Sequence, residues 1–268
     1  MGIDPTAAAG FSAAADVYER ARPGYPEAVV TWLAARLGIG PGRDVLDLAA
    51  GTGKLTRQLV PLGARIVCVE PLDAMRAELE RAVPGVEALA GTAEAIPLSD
   101  GSVDAVTCAQ AFHWFQPDDA LREIHRVLRP GGRIALLWNE RDYSDQFHAR
   151  VDPLLHPHRR ELPAGEEHWR EVLGTIDDRT WREVLGTFEH RTWRHAQSLT
   201  LDEYVDRVAS TAFVAAMATD QRHELLNAVR ETVAGLEQPF EVRYLTEVYV
   251  SKRLRGANPS NEGSSFNG

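Results

Sequence analysis

The chain has 268 residues, 44% of them hydrophobic, enough for one sizeable core and a small second lobe. Its 29 basic and 39 acidic residues leave a net charge of −10, which argues against a general nucleic-acid binder, since that would need a basic face. No apolar run approaches the roughly 18 residues of a membrane span, and the opening MGIDPTAAAGFSAAADVYER lacks a basic-then-apolar leader pattern, so a cytoplasmic protein is expected.

In chain order, DVLDLA (44–49), RIVCVE (65–70), GVEALA (85–90), SVDAVTCA (102–109) and RIALLWN (133–139) are short runs rich in Val, Ile and Leu. Strands covered on both faces read this way. Helical stretches fall between them at 54–60, 73–82 and 118–128. In the last, Leu121, Ile124, Val127 and Leu128 recur at helical spacing, and RPGG (129–132) ends the helix before the next strand. The alternation predicts an α/β fold built on a doubly wound, mostly parallel sheet. Cys68 and Cys108 both fall in strands and read as buried, reduced thiols.

Beyond residue 140 the pattern changes to charged segments, aromatic residues and longer helices. Thr200 and Glu203 have capping-box spacing ahead of YVDRVASTAF, and Leu225, Leu226, Val229 and Val233 mark another helix. FEVRYLTEVYV (240–250) alternates with period two, placing Phe240, Val242, Tyr244, Val248 and Val250 on one face of a late antiparallel strand. The segment WREVLGT occurs at 169–175 and again at 181–187, a local duplication too short for a repeat array. HPHRR (156–160) reads as a solvated basic turn; it brings no third ligand at helical spacing, and no metal site is expected. The expected organisation is residues 1–140 as entry segment and ligand-binding core, 141–254 as a C-terminal helical cap with closing strands, and 255–268 as a disordered tail.

The first strand runs into VLDLAAGTGKLT (45–56), and its chemistry can be tested letter by letter. A phosphate-cradling P-loop anchored on Gly53 and Lys54 would need glycine where Leu48 stands and Ser or Thr where Leu55 stands. A dinucleotide fingerprint fits Gly51 and Gly53 but finds Thr56 at its third position, and Asp47 is a poor neighbour for a pyrophosphate. A carboxylate there suits a cationic ligand.

The stretch resembles the first motif of class I S-adenosylmethionine-dependent methyltransferases, with Asp47, Gly51 and Gly53 matching and Ala49 replacing the first glycine. Three further segments extend the resemblance over residues 40–140: Glu70 with Pro71 at the end of the second strand, 23 residues after Asp47; GTAEAIPL (91–98); and LREIHRVLRPGGRIALLWN (121–139). The resemblance implies a Rossmann-like sheet of order 3-2-1-4-5 and S-adenosylmethionine as cofactor. It places Asp47, Ala49, Gly51, Gly53, Glu70, Pro71, Ala93, Glu94 and Gln110 around that cofactor, Glu70 at the ribose and Ala93–Glu94 at the adenine edge.

AQAFHWF (109–115) follows the fourth strand, so Phe112 and Trp114 would line the methyl-acceptor side and His113 is the candidate catalytic base; the alternative is that this stretch packs the following helix. YERARPGYP (18–26) resembles an entry segment folded over the cofactor, with Tyr18, Arg22 and Tyr25 lining the acceptor or capping a carboxylate. Arg20 and Arg141 are further candidates for gripping an acidic acceptor, and Asp104, at the other end of its strand, is expected to be structural. Both AQAFHWF and RPGYP also resemble the trans-aconitate-methyltransferase-like branch, whose acceptors are carboxylates. The expected activity is methyl transfer to a small molecule, an acid being favoured. O- or C-methylation of a hydroxylated compound, non-catalytic cofactor binding and a nicotinamide oxidoreductase stand as alternatives.

Overall fold

The computed structural model describes residues 15–144, 146–159 and 179–254. The first copy of the WREVLGT duplication and the tail expected to be disordered lie outside the described residues. The chain runs through α1 (Ala15–Ala21), α2 (Glu27–Leu37), β1 (Asp44–Leu48), α3 (Thr56–Leu59), β2 (Arg65–Val69), α4 (Asp73–Ala82), β3 (Glu87–Leu89), β4 (Val103–Ala109) and α5 (Pro117–Val127). It continues through β5 (Leu128–Arg141), α6 (Gln146–Arg159), α7 (Arg179–Leu185), β6 (Glu189–Leu199), α8 (Leu201–Ala209), α9 (Ala212–Ala215), α10 (Thr219–Val233) and β7 (Phe240–Lys252).

Among the described residues the strands form one sheet in the order β3-β2-β1-β4-β5-β7-β6. The first five are parallel, as expected, and β7 runs antiparallel to both β5 and β6. Both faces are covered, which is why these strands lack polar alternation. Leu46, Leu48, Val106, Cys108, Ile134 and Leu136 enter one core, with Leu121, Ile124 and Val127 of α5. Val45, Ala105, Ala135 and Leu137 enter the other, with Val29 and Leu33 of α2, Leu59 of α3 and Leu79 of α4. Complete burial of Leu121, Ile124 and Val127 stabilises the α5 contact by roughly 1.5–3 kcal/mol per side chain.

Two elements depart from the sequence reading. RPGG does not precede β5 but lies within it: Leu128 pairs with Val103, the register then slips, and pairing resumes at Arg133 with Ala105, so Arg129–Gly132 bulges from the ladder. The other is β6, an edge strand whose inward positions are Trp193, His195, Gln197 and Leu199, while its remaining residues are exposed. A charged edge strand carries no apolar alternation to recognise. It also places β7 inside the sheet rather than at its border.

The capping box of Thr200 and Glu203 forms in both directions and starts α8. Tyr204 and Val208 of α8 pack with Phe147, Val151 and Leu155 of α6, with Leu225, Val229 and Val233 of α10, and with Phe240, Val242 and Tyr244 of β7. This apolar cluster lies in the segment expected to form the cap. His156 and His158, read from the sequence as part of a basic turn, lie instead on α6. Asp104 accepts hydrogen bonds from the Asp44 backbone and the Arg43 guanidinium, each at 3.0 Å, and pairs with Arg129, a structural tie at the amino ends of β1 and β4. No helix among the described residues is long and apolar enough to cross a membrane.

Candidate active site

β1 and β4 are neighbours whose connections leave in opposite directions, so their following loops part and open a crevice at the strand ends. Each strand is followed by a sharp reversal on a residue that bears a side chain: Ala49 at φ 53° and Gln110 at φ 61°. Among the described residues these are the non-glycine positions in the left-handed region, and each costs on the order of 1–3 kcal/mol that the surrounding fold must offset. Both line the crevice.

The crevice contains a cavity, about 860 Å³ of empty space with open solvent included, lined among others by Asp47, Gly51, Glu70, Gln110 and Trp114. A second space of about 640 Å³ lies between Pro71 and the Thr92–Glu94 segment, with Phe115 as one wall. Ala49, Leu72 and Trp114 line both, so the two form one elongated site.

Asp47 is only 1% exposed. Its Oδ2 accepts from Thr56 Oγ1 at 2.6 Å and its Oδ1 from Thr107 Oγ1 at 2.8 Å. Burial raises the carboxyl to about 6, with the hydrogen bonds from Thr56 and Thr107 pulling the other way. Glu70 is also buried; its Oε2 accepts from the Gly51 N–H at 2.9 Å and its Oε1 from the Leu72 N–H at 3.0 Å. Burial raises its carboxyl too, against those backbone bonds and the charge of Arg76. Glu70 thus ties the loop after β1 to the end of β2.

Gly51 and Gly53 serve different ends. A methyl group at Gly51, φ 56°, would meet no protein atom within 4 Å, so it would enter the cavity. At Gly53, φ 84°, it would overlap Leu79 Cδ1 and press on Val83 Cγ2 at 3.2 Å. Gly53, expected at the cofactor, is not among the residues lining either cavity, and its lack of a side chain lets α4 approach the loop.

The entry segment forms one wall. Glu19 of α1 accepts from Thr52 Oγ1 at 2.6 Å and receives Lys54 and Arg57, fastening α1 to the loop after β1. Tyr25 is buried, its backbone N–H and C=O bonded to Gln58 at 3.0 and 2.7 Å. Tyr18, Arg22 and Tyr25 all line the main cavity. So do Asn139 at the end of β5 and Arg207 of α8, two residues the sequence reading did not single out. Arg207 carried a legible signal: it lies in the apolar stripe of Tyr204, Val205 and Val208 and is itself buried.

The stretch after β4 departs from expectation. Phe112 to Trp114 form one 3₁₀ turn, which sends successive side chains about 120° apart. Trp114 faces both cavities; Phe112 and His113 are buried and line neither. His113 Nδ1 accepts a 3.2 Å hydrogen bond from Trp138 Nε1, so its ring belongs to the wall and not to the cavity surface. Arg20 is exposed beside Asp206, and Arg141 lies 4.0 Å from Asp152; neither lines the cavities.

The arrangement is that of a class I methyltransferase site: an acidic strand end, a glycine open to the crevice, and a second carboxylate at the next strand. Comparison with known proteins agrees. The family described as Methyltransferase domain matches residues 46–136. An uncharacterized methyltransferase of Mycobacterium tuberculosis is 52% identical over 132 residues, covering 49% of this chain and 53% of that protein, so the match spans about half the length of this relative. An uncharacterized methyltransferase-like protein of Schizosaccharomyces pombe is 30% identical over 243 residues, covering 88% of this chain and 92% of that one. Among solved structures, a protein of Anaeromyxobacter dehalogenans described as a candidate type II methyltransferase superposes with a TM-score of 0.63 at 26% identity, covering 87% of this chain and 99% of the other. The chain belongs to the class I S-adenosylmethionine-dependent methyltransferases, and S-adenosylmethionine is the cofactor of that family.

The residues present fit this cofactor. Two buried carboxylates, Asp47 and Glu70, line the main cavity, a chemistry suited to cationic groups and sugar hydroxyls, and the apolar space walled by Leu48, Ala93 and Phe115 suits a flat heterocycle.

Proposed function

We propose that this chain transfers a methyl group from S-adenosylmethionine to a small-molecule acceptor, and that the acceptor is a carboxylic acid. When bound, the cofactor supplies a sulfonium methyl group that a nucleophile can displace. Asp47, Ala49, Gly51, Glu70, Pro71, Ala93, Glu94 and Gln110 would hold it, with the Glu70 carboxylate accepting from ribose hydroxyls. Tyr18, Arg22, Tyr25 and Trp114 would face the acceptor.

The observation carrying the acid reading is the charge of the main cavity, whose lining includes Arg22, Lys54 and Arg207 as well as Asp47 and Glu70. A carboxylate nucleophile has no proton to lose, so the protein need only orient it and exclude water. That matches a cavity surface on which His113 takes no part. The likeness of RPGYP and AQAFHWF to the trans-aconitate-methyltransferase-like branch supports the same class.

The test is a panel of small acids, phenols and amines with labelled cofactor, alongside calorimetry on Glu70→Ala. Label should pass to acids, and the variant should bind cofactor more weakly by about 1–3 kcal/mol through loss of charge-assisted hydrogen bonds. Transfer confined to phenols or amines would overturn the acid reading. Unchanged binding by Glu70→Ala would remove that residue from the site.

A further inference from the structure

Three cations line the main cavity, and they are held in different ways. Arg22 grips the end of α8, its Nε donating to Ser210 Oγ at 3.2 Å and its Nη2 to the Ser210 carbonyl at 3.1 Å. Its guanidinium carbon also lies 5.0 Å from the centre of the Tyr18 ring, so it clasps the entry segment to the cap. Lys54 donates to the backbone carbonyl of Glu19, with the Glu19 carboxylate 3.9 Å away, and fastens α1 from below.

Arg207 comes from α8 itself, one turn before the Ser210 that Arg22 grips. It is 5% exposed, yet its side chain reaches the cavity. Its Nε donates to the Tyr244 hydroxyl at 3.2 Å, and its guanidinium carbon sits 5.7 Å from the centre of that ring. Tyr244 is itself clamped, 1% exposed and stacked on His195 with ring centres 5.5 Å apart. A guanidinium held through Nε has a fixed plane, and a planar set of N–H donors is the geometry that matches a carboxylate.

The three charges also act on one another. The Lys54 ammonium is lowered to about 8, first by burial and further by the positive charges of Arg57, Arg22 and Arg207, with Glu19 opposing. An anion entering the cavity would relieve that repulsion.

We propose that Arg207 is the specificity-determining residue of the acceptor end of the cavity and receives a carboxylate of the methyl acceptor. This rests on the reading of the chain as a methyltransferase for small acids. Arg22 and Lys54 act mainly as clasps of the entry segment, and Tyr244 is the positioning residue that aims the guanidinium.

The experiment is calorimetry on the protein saturated with S-adenosylhomocysteine, so that the cofactor's own carboxylate is already accommodated. Aliphatic and aromatic mono-, di- and tricarboxylates are titrated in, each beside its neutral amide, on wild type, Arg207→Met and Arg207→Lys. At least one acid should bind wild type while its amide does not, and Arg207→Met should weaken that acid by about tenfold or more. Arg207→Lys, which keeps the charge and loses the fork, should weaken it severalfold and decides the matter if the Met variant fails to fold. Affinity for S-adenosylhomocysteine should stay within about threefold throughout. Equal acid affinity in wild type and both variants would overturn the proposal. So would a loss confined to S-adenosylhomocysteine, which would assign Arg207 to the cofactor. If S-adenosylhomocysteine binds wild type but no acid does, the acid subsite falls and the methyltransferase reading stands. If S-adenosylhomocysteine itself does not bind, that reading falls first.

Discussion

Trp138 Nε1 donates to His113 Nδ1 at 3.2 Å, which joins the later part of β5 to the turn after β4. Both rings are buried, and accepting at Nδ1 places the proton of a neutral imidazole on Nε2. His113 is therefore expected to act through stability. His113→Ala should lower the unfolding free energy by about 1–3 kcal/mol, the penalty of leaving the Trp138 N–H unsatisfied. Affinity for S-adenosylhomocysteine should change severalfold at most. Urea unfolding and calorimetry check both; a fully stable variant that has lost all transfer to an acid would return His113 to a chemical role.

The two glycines of the loop after β1 should separate cleanly. Gly51→Ala adds a methyl group that meets no protein atom, so stability should fall only by the left-handed strain, about 1 kcal/mol, while cofactor affinity drops sharply. Gly53→Ala adds the same strain and an overlap with Leu79, so it should destabilise by roughly 2–4 kcal/mol. Denaturant midpoints and calorimetry on both variants decide it. Equal stability losses would show that Gly53 is not a packing glycine.

Much of this was legible in the sequence, and the reasons are local. β1, β2, β4 and β5 are covered on both faces, so continuous Val, Ile and Leu runs announce them, and Asp47 and Glu70 stand out as carboxylates at the ends of such runs. β6 was not legible because its inward positions hold Trp193, His195 and Gln197 as well as Leu199, and its pairing with β7 depends on backbone groups that any sequence supplies. The facing of Phe112, His113 and Trp114 depended on a single 3₁₀ turn, which no periodicity over three residues can reveal. The apolar stripe of Tyr204, Val205 and Val208 marks Arg207 as unusual, but that its side chain reaches the cavity follows only from the tertiary packing of α8.

Cys68 lies opposite Asp47 on one side of β1, and Cys108 lies opposite Leu48 on the other. Two strand spacings separate them, roughly 9–10 Å, beyond the 7 Å or so that a disulfide tolerates. Both thiols are buried and unpaired, and burial raises both above their ordinary range. Neither should react with a thiol reagent in the native protein, and both should react promptly in urea. An intramolecular disulfide by non-reducing mass measurement would contradict the strand order.

Asp47 should trade stability for ligand binding, in a pH-dependent way. Its carboxyl titrates near 6 in the folded chain against 3.8 for the free group, because burial disfavours the charged form. Across that window the folded state binds more protons than the unfolded one, so this group's contribution is fully present at low pH and is lost as pH rises through 6. Above it, holding the carboxylate ionised costs on the order of 3 kcal/mol. Asp47→Asn removes the charge and keeps the shape, and the Thr107 hydroxyl has a second acceptor in the Leu46 carbonyl at 3.4 Å. The variant should therefore be more stable than wild type by about 1–3 kcal/mol at pH 7.5, with the gap shrinking toward pH 5. Its affinity for S-adenosylmethionine should fall, since a cationic ligand loses its counter-charge, and wild-type affinity should weaken as pH drops below 6 for the same reason. Urea unfolding at the two pH values and calorimetry across the range measure all three effects. A variant equally destabilised at both pH values, or one that binds the cofactor as tightly as wild type, would show that the buried carboxylate serves only to brace Thr56 and Thr107.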